Sequence, residues 1–235
     1  VYVLLAGAFF SYRRGLVVFS LYALGVVLAA LAAKVLSVFI KPDVSSTFVM
    51  ELPPYRMPRI SGVLMQTWER GREFLHKAGT VILLAVVVVW VLSNLPPGVD
   101  PGSPESLIGR IGSAIAPLLK PAGFGTWQAA SALVFGAIAK ELIVGTLGVL
   151  YGSGVGSASG GSGLINAIQA NWTPLSAYAF MVMSLVYMPC VATLAAIRRE
   201  TGSRAWTAFA MAYPLVLGWV LAVIVYQVGR LIGLA

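Results

Sequence analysis

Long apolar runs recur along this chain and restrict the folds open to it. Leu16 to Ile40 contains one charged residue, Lys34, and Ala205 to Leu234 also contains one, Arg230. A helix needs about 20 apolar residues to cross a bilayer. Only 10% of the residues are charged and 59% are hydrophobic, whereas a soluble domain is about 25% charged. We therefore predict an all-α, polytopic helical membrane protein.

The charge and cysteine content exclude several classes of function. The net charge of +8 is expected of a membrane protein with basic cytoplasmic loops. No basic groove with interleaved aromatic residues is visible, so we do not expect nucleic acid as a partner. The single cysteine, Cys190, rules out an intrachain disulfide. The glycine-rich stretch 152–163 lacks lysine, and no phosphate-binding GxxxxGK[ST] motif occurs anywhere in the chain.

We divide the chain into three parts. Residues 1–41 hold the end of one membrane helix and one spanning helix. Residues 42–77 form a cytoplasmic or interfacial amphipathic segment. Residues 78–235 form a membrane region that starts with a spanning helix at 78–95. Val1 lies inside an apolar run, so we expect the chain to be a piece of a longer protein.

The segment 42–77 is rich in charge. From Ile60 to Leu75, apolar residues recur at helical spacing and charges occupy the other face. This pattern predicts an amphipathic helix in the membrane interface, with Trp68 and Phe74 towards lipid or other helices. His76 is interpreted as an interfacial polar residue and not as a metal ligand.

Lys140 and Glu141 interrupt the apolar segment Trp127–Tyr151. Each ionisable group at membrane depth costs about 2.5–3.5 kcal/mol on insertion scales. The pair either holds helices together internally or marks a polar site near the bilayer midplane, as in a transporter. Both interpretations stay open on the sequence alone.

A second candidate site lies in the segment Leu175–Ile197. Pro189 lacks an amide hydrogen and breaks the helix, so we expect carbonyl groups near Leu185 and Val186 to lose their partners. Cys190 follows directly, Met188 precedes, and Thr193 shares the helix face of Cys190. Sulfur ligands suit transition metals, although buried Cys and Met are also common core residues.

The distribution of basic residues predicts at least one broken or re-entrant helix. The clusters at 56–77 and 198–204 should both be cytoplasmic, yet three apolar segments separate them. One of these segments should therefore not cross. The candidates are Trp127–Tyr151 and Leu175–Ile197, and the sequence does not choose between them. This topology would place Arg13 and Arg14 on the outer side of the membrane, against the positive-inside rule.

Three motifs resemble the bacterial ferrous iron transporter family FeoB. Residues 48–58 (FVMELPPYRMP) are similar to its F-x-M-E-L-P-x-Y-x-x-P segment, and residues 139–147 (AKELIVGTL) are similar to its A-K-E-x-x-V-x-T-L run. Residues 187–193 (YMPCVAT), with Glu200 and Trp206, resemble its second Gate motif.

The resemblance implies a multi-pass permease for Fe²⁺ in a bacterial or archaeal cytoplasmic membrane. It implies Cys190 and Glu141 as metal contacts, with Met188, Thr193 and Lys140 completing the transport pathway and Lys140 balancing Glu141 when no ion is present. No catalytic residue and no cofactor are expected in this chain. GTP and Mg²⁺ would bind to an N-terminal G domain that these residues do not include, and the first Gate half is also missing. Further expected partners are the lipid bilayer, small Feo accessory proteins and a second copy of the protein.

Two rival functions are kept. A nucleoside-type Gate permease would need amides and carboxylates around a base and ribose, but the apolar segments offer Gln128, Gln227 and few other amides. A non-transporting membrane scaffold would have Lys140 and Glu141 paired only with each other, around no cavity.

Overall fold

The computed structural model describes residues 1–39, 59–99, 103–152 and 162–233, and within them it contains helices but no strand. The α-helices, in chain order, are α1 Tyr2–Phe9, α2 Arg14–Phe39, α3 Ile60–Ser93, α4 Leu107–Leu119, α5 Trp127–Gly136, α6 Leu142–Gly152, α7 Ser162–Asn171, α8 Pro174–Leu185, α9 Val191–Thr201 and α10 Arg204–Leu231. A 3₁₀ turn, Lys120–Ala122, follows α4. The predicted all-helical class is confirmed.

Side-chain hydroxyl groups mark the start of four helices. Ser106 accepts a hydrogen bond from the Gly109 amide at the start of α4. Thr126 accepts one from the Ala129 amide at the start of α5. Thr173 and Ser176 exchange bonds in a capping box at α8. Ser203 caps α10. These bonds satisfy amides that the first turn of a helix leaves without partners.

The core lies where α5, α8 and α10 meet the loops beside them. Phe180 of α8 is fully buried and packs edge-to-face against Phe124 and Trp172, with ring centroids 5.3 and 4.9 Å away. The Trp172 indole donates to the Tyr151 hydroxyl at 3.1 Å. Aromatic pairs of this kind add specific geometry to apolar burial, so the end of α6 and the start of α8 are fixed relative to each other.

Two hydrogen bonds join α10 to the residues around the 3₁₀ turn. The Trp219 indole donates to the Leu118 carbonyl at 2.9 Å, and the Gln227 amide donates to the Pro121 carbonyl at 2.8 Å. Gly123 has a φ of +85° and lies against the Tyr226 ring, where any side chain would overlap it. Only glycine tolerates this conformation and approach without strain.

Among the residues that the structure describes, two helices are long and apolar enough to cross a membrane: Arg14–Val38 and Arg204–Leu231. They correspond to the predicted spanning runs at Leu16–Ile40 and Ala205–Leu234. The short helix predicted at Ser106–Leu119 is α4. Residues 40–58, which include the first of the three motifs, and residues 153–161 of the glycine-rich stretch lie outside the described residues.

α3 differs from the sequence prediction. An interfacial helix ending near Leu75 and a separate spanning helix beginning at Ala78 were expected, but a single continuous helix runs from Ile60 to Ser93. The reason is that residues 76–80 contain no proline, and the one glycine there, Gly79, costs a helix interior only about 1 kcal/mol. The boundary between the second and third predicted parts therefore falls inside a helix. Trp68, in the first half of α3, is exposed. The structure does not describe the side chains of Phe74 and His76.

Candidate functional site

The predicted helix Trp127–Tyr151 is interrupted at its two charges. α5 ends at Gly136 and α6 begins at Leu142. The Ala137 amide is shared among carbonyl oxygens of the last turn of α5. A side chain at Gly136 would overlap Ile143, so the turn brings the facing ends of α5 and α6 into direct contact. We call residues 137–141 the first break.

The two charged residues of the first break have different surroundings. The half-buried Lys140 places Nζ 4.9 Å from the centroid of the Tyr2 ring, which is a cation–π geometry. Glu141 is exposed on the surface of this chain. Within the described residues, Lys140 and Glu141 form no ion pair with each other. The exclusive pairing that the scaffold hypothesis requires is therefore missing from this part of the chain.

The predicted helix Leu175–Ile197 is interrupted at its proline. α8 ends at Leu185 and α9 begins at Val191. No hydrogen bond from a described residue reaches the carbonyl oxygen of Leu185 or Val186, as Pro189 led us to expect. We call residues 186–190 the second break. Both candidate segments are thus interrupted, while their re-entry into the membrane stays a prediction.

Cys190 and Thr193 lie together at the start of α9. Cys190 is the N-cap residue, half-buried and extended, and its Sγ lies 3.2 Å from Oγ1 of the exposed Thr193. Met188 is half-buried within the second break. Met181 and Met183, on the preceding turns, are 0% and 3% exposed and belong to the apolar core. One thiol and one hydroxyl therefore lie together at the start of α9, directly after Pro189 in the chain.

A hydrogen bond joins the second break to the end of α5, directly before the first break. The Tyr187 hydroxyl, in the second break, donates to the Leu133 carbonyl oxygen at 2.8 Å, across 54 positions of sequence. Leu133 lies in the last turn of α5, and the same oxygen accepts the Ala137 amide at 3.1 Å. Sequence reasoning missed this contact, because no local pattern encodes a partner so distant. The available signal was the position of Tyr187 two residues before Pro189.

α10 also touches the second break. A Cβ atom added at Gly218 would lie 3.2 Å from the Met183 carbonyl oxygen and 3.6 Å from the Val186 Cβ. The glycine therefore permits a close approach of α10 to the end of α8. An apolar pocket of about 550 Å³ lies beside this contact. Its lining includes Leu133, Ala137, Met183, Tyr187 and Trp219.

The described residues do not contain a complete side-chain metal centre. No group of three or more His, Cys, Asp and Glu side chains could hold a metal ion there. Within the same ranges no hydrogen bond links Cys190 to Glu141. Any ion at the second break would need carbonyl or hydroxyl oxygens as ligands. The assignment of Cys190 and Glu141 as metal contacts stays a prediction.

Two family models match the chain. The model described as "Nucleoside recognition" (Gate) matches residues 75–204, which is more than half of the chain. The model described as "Ferrous iron transport protein B C terminus" matches residues 18–70. The second match ends and the first begins inside α3, and the Gate match includes both breaks. No solved structure matches the chain.

The chain is also similar to curated proteins. A protein named Fe(2+) transporter FeoB from Staphylococcus aureus (strain COL) is 47% identical over 232 residues, which cover 98% of this chain and 34% of that protein. The protein of the same name from Methanocaldococcus jannaschii is 44% identical over 241 residues, covering 99% of this chain and 35% of that protein.

A third relative is named as a fusion of two proteins. The Porphyromonas gingivalis protein named Fe(2+) transport protein A/Fe(2+) transporter FeoB fusion protein is 36% identical over 275 residues, covering 98% of this chain and 32% of that protein. The chain spans about a third of the length of these relatives. On the family models and these identities, the chain belongs to the FeoB family and corresponds to its C-terminal, Gate-containing region.

Proposed function

We propose that this chain is the permease portion of a ferrous iron uptake transporter, and that Fe²⁺ passes beside its two helix breaks. The observation that supports this most is the Tyr187–Leu133 hydrogen bond of 2.8 Å. It joins the non-helical second break to the last turn of α5, directly before the first break, in a chain 47% identical to an Fe(2+) transporter. Non-helical backbone at membrane depth is tolerated where it lines a cavity or is buried in protein.

The second break offers ligands that suit a transient Fe²⁺ site. Cys190 supplies one sulfur, Thr193 supplies a hydroxyl 3.2 Å from it, and the carbonyl groups of Leu185 and Val186 are available to a cation. Fe²⁺ is near the weak end of the first-row affinity order. One sulfur among oxygen ligands therefore binds the ion without trapping it. Met188 adds a soft sulfur within the same break.

The first break supplies charge. Glu141 attracts a cation, and its exposure in this chain lets it face a water-filled path or the rest of the complete protein. Lys140 lies next to it and balances its charge when no ion is present. In hydrocarbon an isolated carboxylate would be very costly, which favours an aqueous or protein-lined position for Glu141.

We place the chain as a multi-pass protein in a bacterial or archaeal cytoplasmic membrane. α2, α10 and the second half of α3 cross the bilayer, and the paired short helices around the breaks form broken or re-entrant segments. The first half of α3 extends on the cytoplasmic side, where its basic residues and those of 198–204 obey the positive-inside rule.

The complete protein would supply what these residues lack. An N-terminal G domain would bind GTP and Mg²⁺ and carry any GTPase activity, so this portion acts as a transporter and not as an enzyme. The first Gate half would complete the ion path. The relative named as a fusion with Fe(2+) transport protein A supports a small Feo accessory protein as a partner. A homo-oligomer is a further proposal.

A nucleoside permease is the second candidate, because the Gate model is described as "Nucleoside recognition". Such a site needs amide groups for a base. Gln227 already donates to the Pro121 carbonyl on an exposed surface, at 2.8 Å. Gln128 is half-buried, and it is a single amide where a base would need several. The described residues therefore favour an ion over a nucleoside.

Uptake by the complete protein distinguishes these candidates. Cells without their own ferrous iron uptake would express it and receive radiolabelled Fe²⁺ under reducing conditions or radiolabelled adenosine. We expect saturable Fe²⁺ uptake above empty-vector cells and no added adenosine uptake. Adenosine uptake without Fe²⁺ uptake would contradict the proposal in favour of the nucleoside permease. Uptake of neither would favour the scaffold.

A further inference from the structure

We propose that Tyr187 is a positioning residue of the ion path, whose hydroxyl holds the two broken helices in the arrangement that binds Fe²⁺. This inference rests on the proposed function. It concerns the alignment of the two breaks and adds no ligand to the site.

The second break depends on tertiary contacts for its shape. Residues 186–190 lie between two helices: the Val186 amide bonds back to Val182 of α8 and the Cys190 carbonyl accepts the Leu194 amide of α9, and no backbone bond among the described residues closes the stretch itself. The Tyr187 hydroxyl reaches out of this stretch to Leu133, 2.8 Å away and next to the first break. Leu133 is buried and sits on the rigid end of α5. A movement of the second break relative to the end of α5 therefore stretches this bond.

A second contact limits the movement from the side of α10. Gly218 is buried, and a Cβ there would stand 3.2 Å from the Met183 carbonyl oxygen. That spacing is tight enough that an added methyl group must shift α10 or the end of α8 by a few tenths of an ångström. The second break is thus held by α5 through Tyr187 and by α10 through Gly218.

Loss of the hydroxyl should lower the fraction of molecules with aligned breaks. A ligand's apparent affinity falls in proportion to the binding-competent fraction. The apparent KM for Fe²⁺ should therefore rise, while the rate at saturating Fe²⁺ stays near that of wild type. From the usual net contribution of one hydrogen bond, we expect a rise of about two- to tenfold.

The test uses Tyr187→Phe in the complete transporter, with Fe²⁺ uptake measured over a range of concentrations. Tyr178→Phe is the matched control, because the Tyr178 hydroxyl lies 3.0 Å from the Ser20 hydroxyl and joins α8 to α2 without contacting a break. We expect a raised KM for Tyr187→Phe alone. An unchanged KM, or a lower maximal rate explained by lower protein level, would overturn the inference.

A second pair of variants tests the same break from the other side. Gly218→Ala should also raise the KM, whereas Gly148→Ala, at a helical position with nothing within 4 Å of the added Cβ, should not. If Gly218→Ala and Tyr187→Phe both leave the KM unchanged, positioning of the second break does not control ion binding.

Alkylation of Cys190 provides a readout that does not need transport. The complete protein, with any other cysteines replaced by serine, would react with a water-soluble maleimide. We expect Cys190 to react about two- to tenfold faster in Tyr187→Phe than in wild type or Tyr178→Phe. Equal rates would overturn the inference. Wild-type protein without saturable Fe²⁺ uptake would instead contradict the proposed function, and the alkylation rates would still decide the role of Tyr187.

Discussion

Pro189 determines much of the local structure of the candidate site. It removes one amide donor, and α8 stops at Leu185 four residues earlier. The chain resumes as a helix directly after Cys190. A single proline thereby removes the amide that would bond to the Leu185 carbonyl in a continuous helix, and Cys190 follows it directly in the chain. The first break contains no proline. It contains the adjacent charged residues Lys140 and Glu141, and Gly136 directly before it lies against Ile143.

Glu141→Ala should abolish Fe²⁺ uptake by the complete transporter while the protein still inserts in the membrane. The reason is that the substitution removes the carboxylate of the first break and the attraction it offers a cation. Uptake and the amount of protein in isolated membranes would be measured together. Glu105→Ala is the control, because Glu105 is also exposed but lies in the loop before α4. Normal uptake by a well-expressed Glu141→Ala protein would make Glu141 a structural residue only.

Local rules predicted where the two segments are interrupted but not how the side chains around the interruptions are arranged. The positions of both breaks followed from Pro189 and from the Lys140–Glu141 pair, because helix breakers and membrane charges act within a few residues. The contact between Lys140 and Tyr2 and the bond from Tyr187 to Leu133 depend on how distant helices pack. Neither could be derived from the spacing of residues in a single sequence.

Among the helices, length separates two groups. α2 has 26 residues and α10 has 28, enough to cross a hydrocarbon core of about 30 Å at 1.5 Å per residue. α5, α6, α8 and α9 have 10 to 12 residues each and are too short to cross alone. The short helices carry the site, and they are held by tertiary contacts and caps.

One of these tertiary contacts joins α4 to α5. The Ser131 hydroxyl donates to the Ile108 carbonyl at 3.0 Å, and a side chain at Gly112 would overlap Ser131 and the Trp127 carbonyl. Gly112→Ala should therefore lower stability by about 1–3 kcal/mol, as overpacking does in well-packed interiors. Thermal unfolding of the purified complete protein in detergent would measure the effect.

Gly71→Ala is the matched control for that substitution. Gly71 lies inside α3 with nothing within 4 Å of an added Cβ. Alanine is favoured over glycine in a helix interior by about 1 kcal/mol, so this variant should be as stable as wild type or more so. A Gly112→Ala protein that unfolds at the same temperature as Gly71→Ala would contradict the packing described for α4 and α5.

The end of the amphipathic helix was the least predictable boundary. Near Ala78 the sequence changes from one apolar face to an almost wholly apolar surface, and this change was interpreted as two helices. A change in the environment of a helix need not end it. The helix continues through residues 76–80 because they contain no proline and Gly79 alone does not stop it, and α3 reaches 34 residues.

For the molecule as a whole, α3 sets the topology. At 1.5 Å per residue its 34 residues extend about 51 Å, well beyond a hydrocarbon core of about 30 Å. We therefore expect the charged first half to project from the membrane and the second half to cross it. The basic residues of the first half and Arg198, Arg199 and Arg204 should then lie on the same, cytoplasmic side. This requires one of the two interrupted segments between them to cross the membrane and the other to return to the side it entered from.

Cysteine labelling tests this arrangement. Arg59→Cys and Arg72→Cys, each in a complete protein with its other cysteines removed, should resist a membrane-impermeant maleimide in sealed cells. Both should react once the membrane is permeabilised. Tyr12→Cys is the control, since Tyr12 is exposed one crossing away, before α2, and should react from outside. Ready labelling of position 59 or 72 in sealed cells would contradict the cytoplasmic placement.

The most direct test of an Fe²⁺ path at the second break is Fe²⁺ uptake by the complete transporter carrying Cys190→Ser or Cys190→Ala. Serine keeps the size of the side chain and removes the soft sulfur ligand, and alanine removes the ligand altogether. The account predicts that both substitutions reduce Fe²⁺ flux at matched expression, with thermal stability close to that of wild type. Equal flux in all three proteins would show that Cys190 serves packing alone and would contradict a sulfur ligand in the ion path.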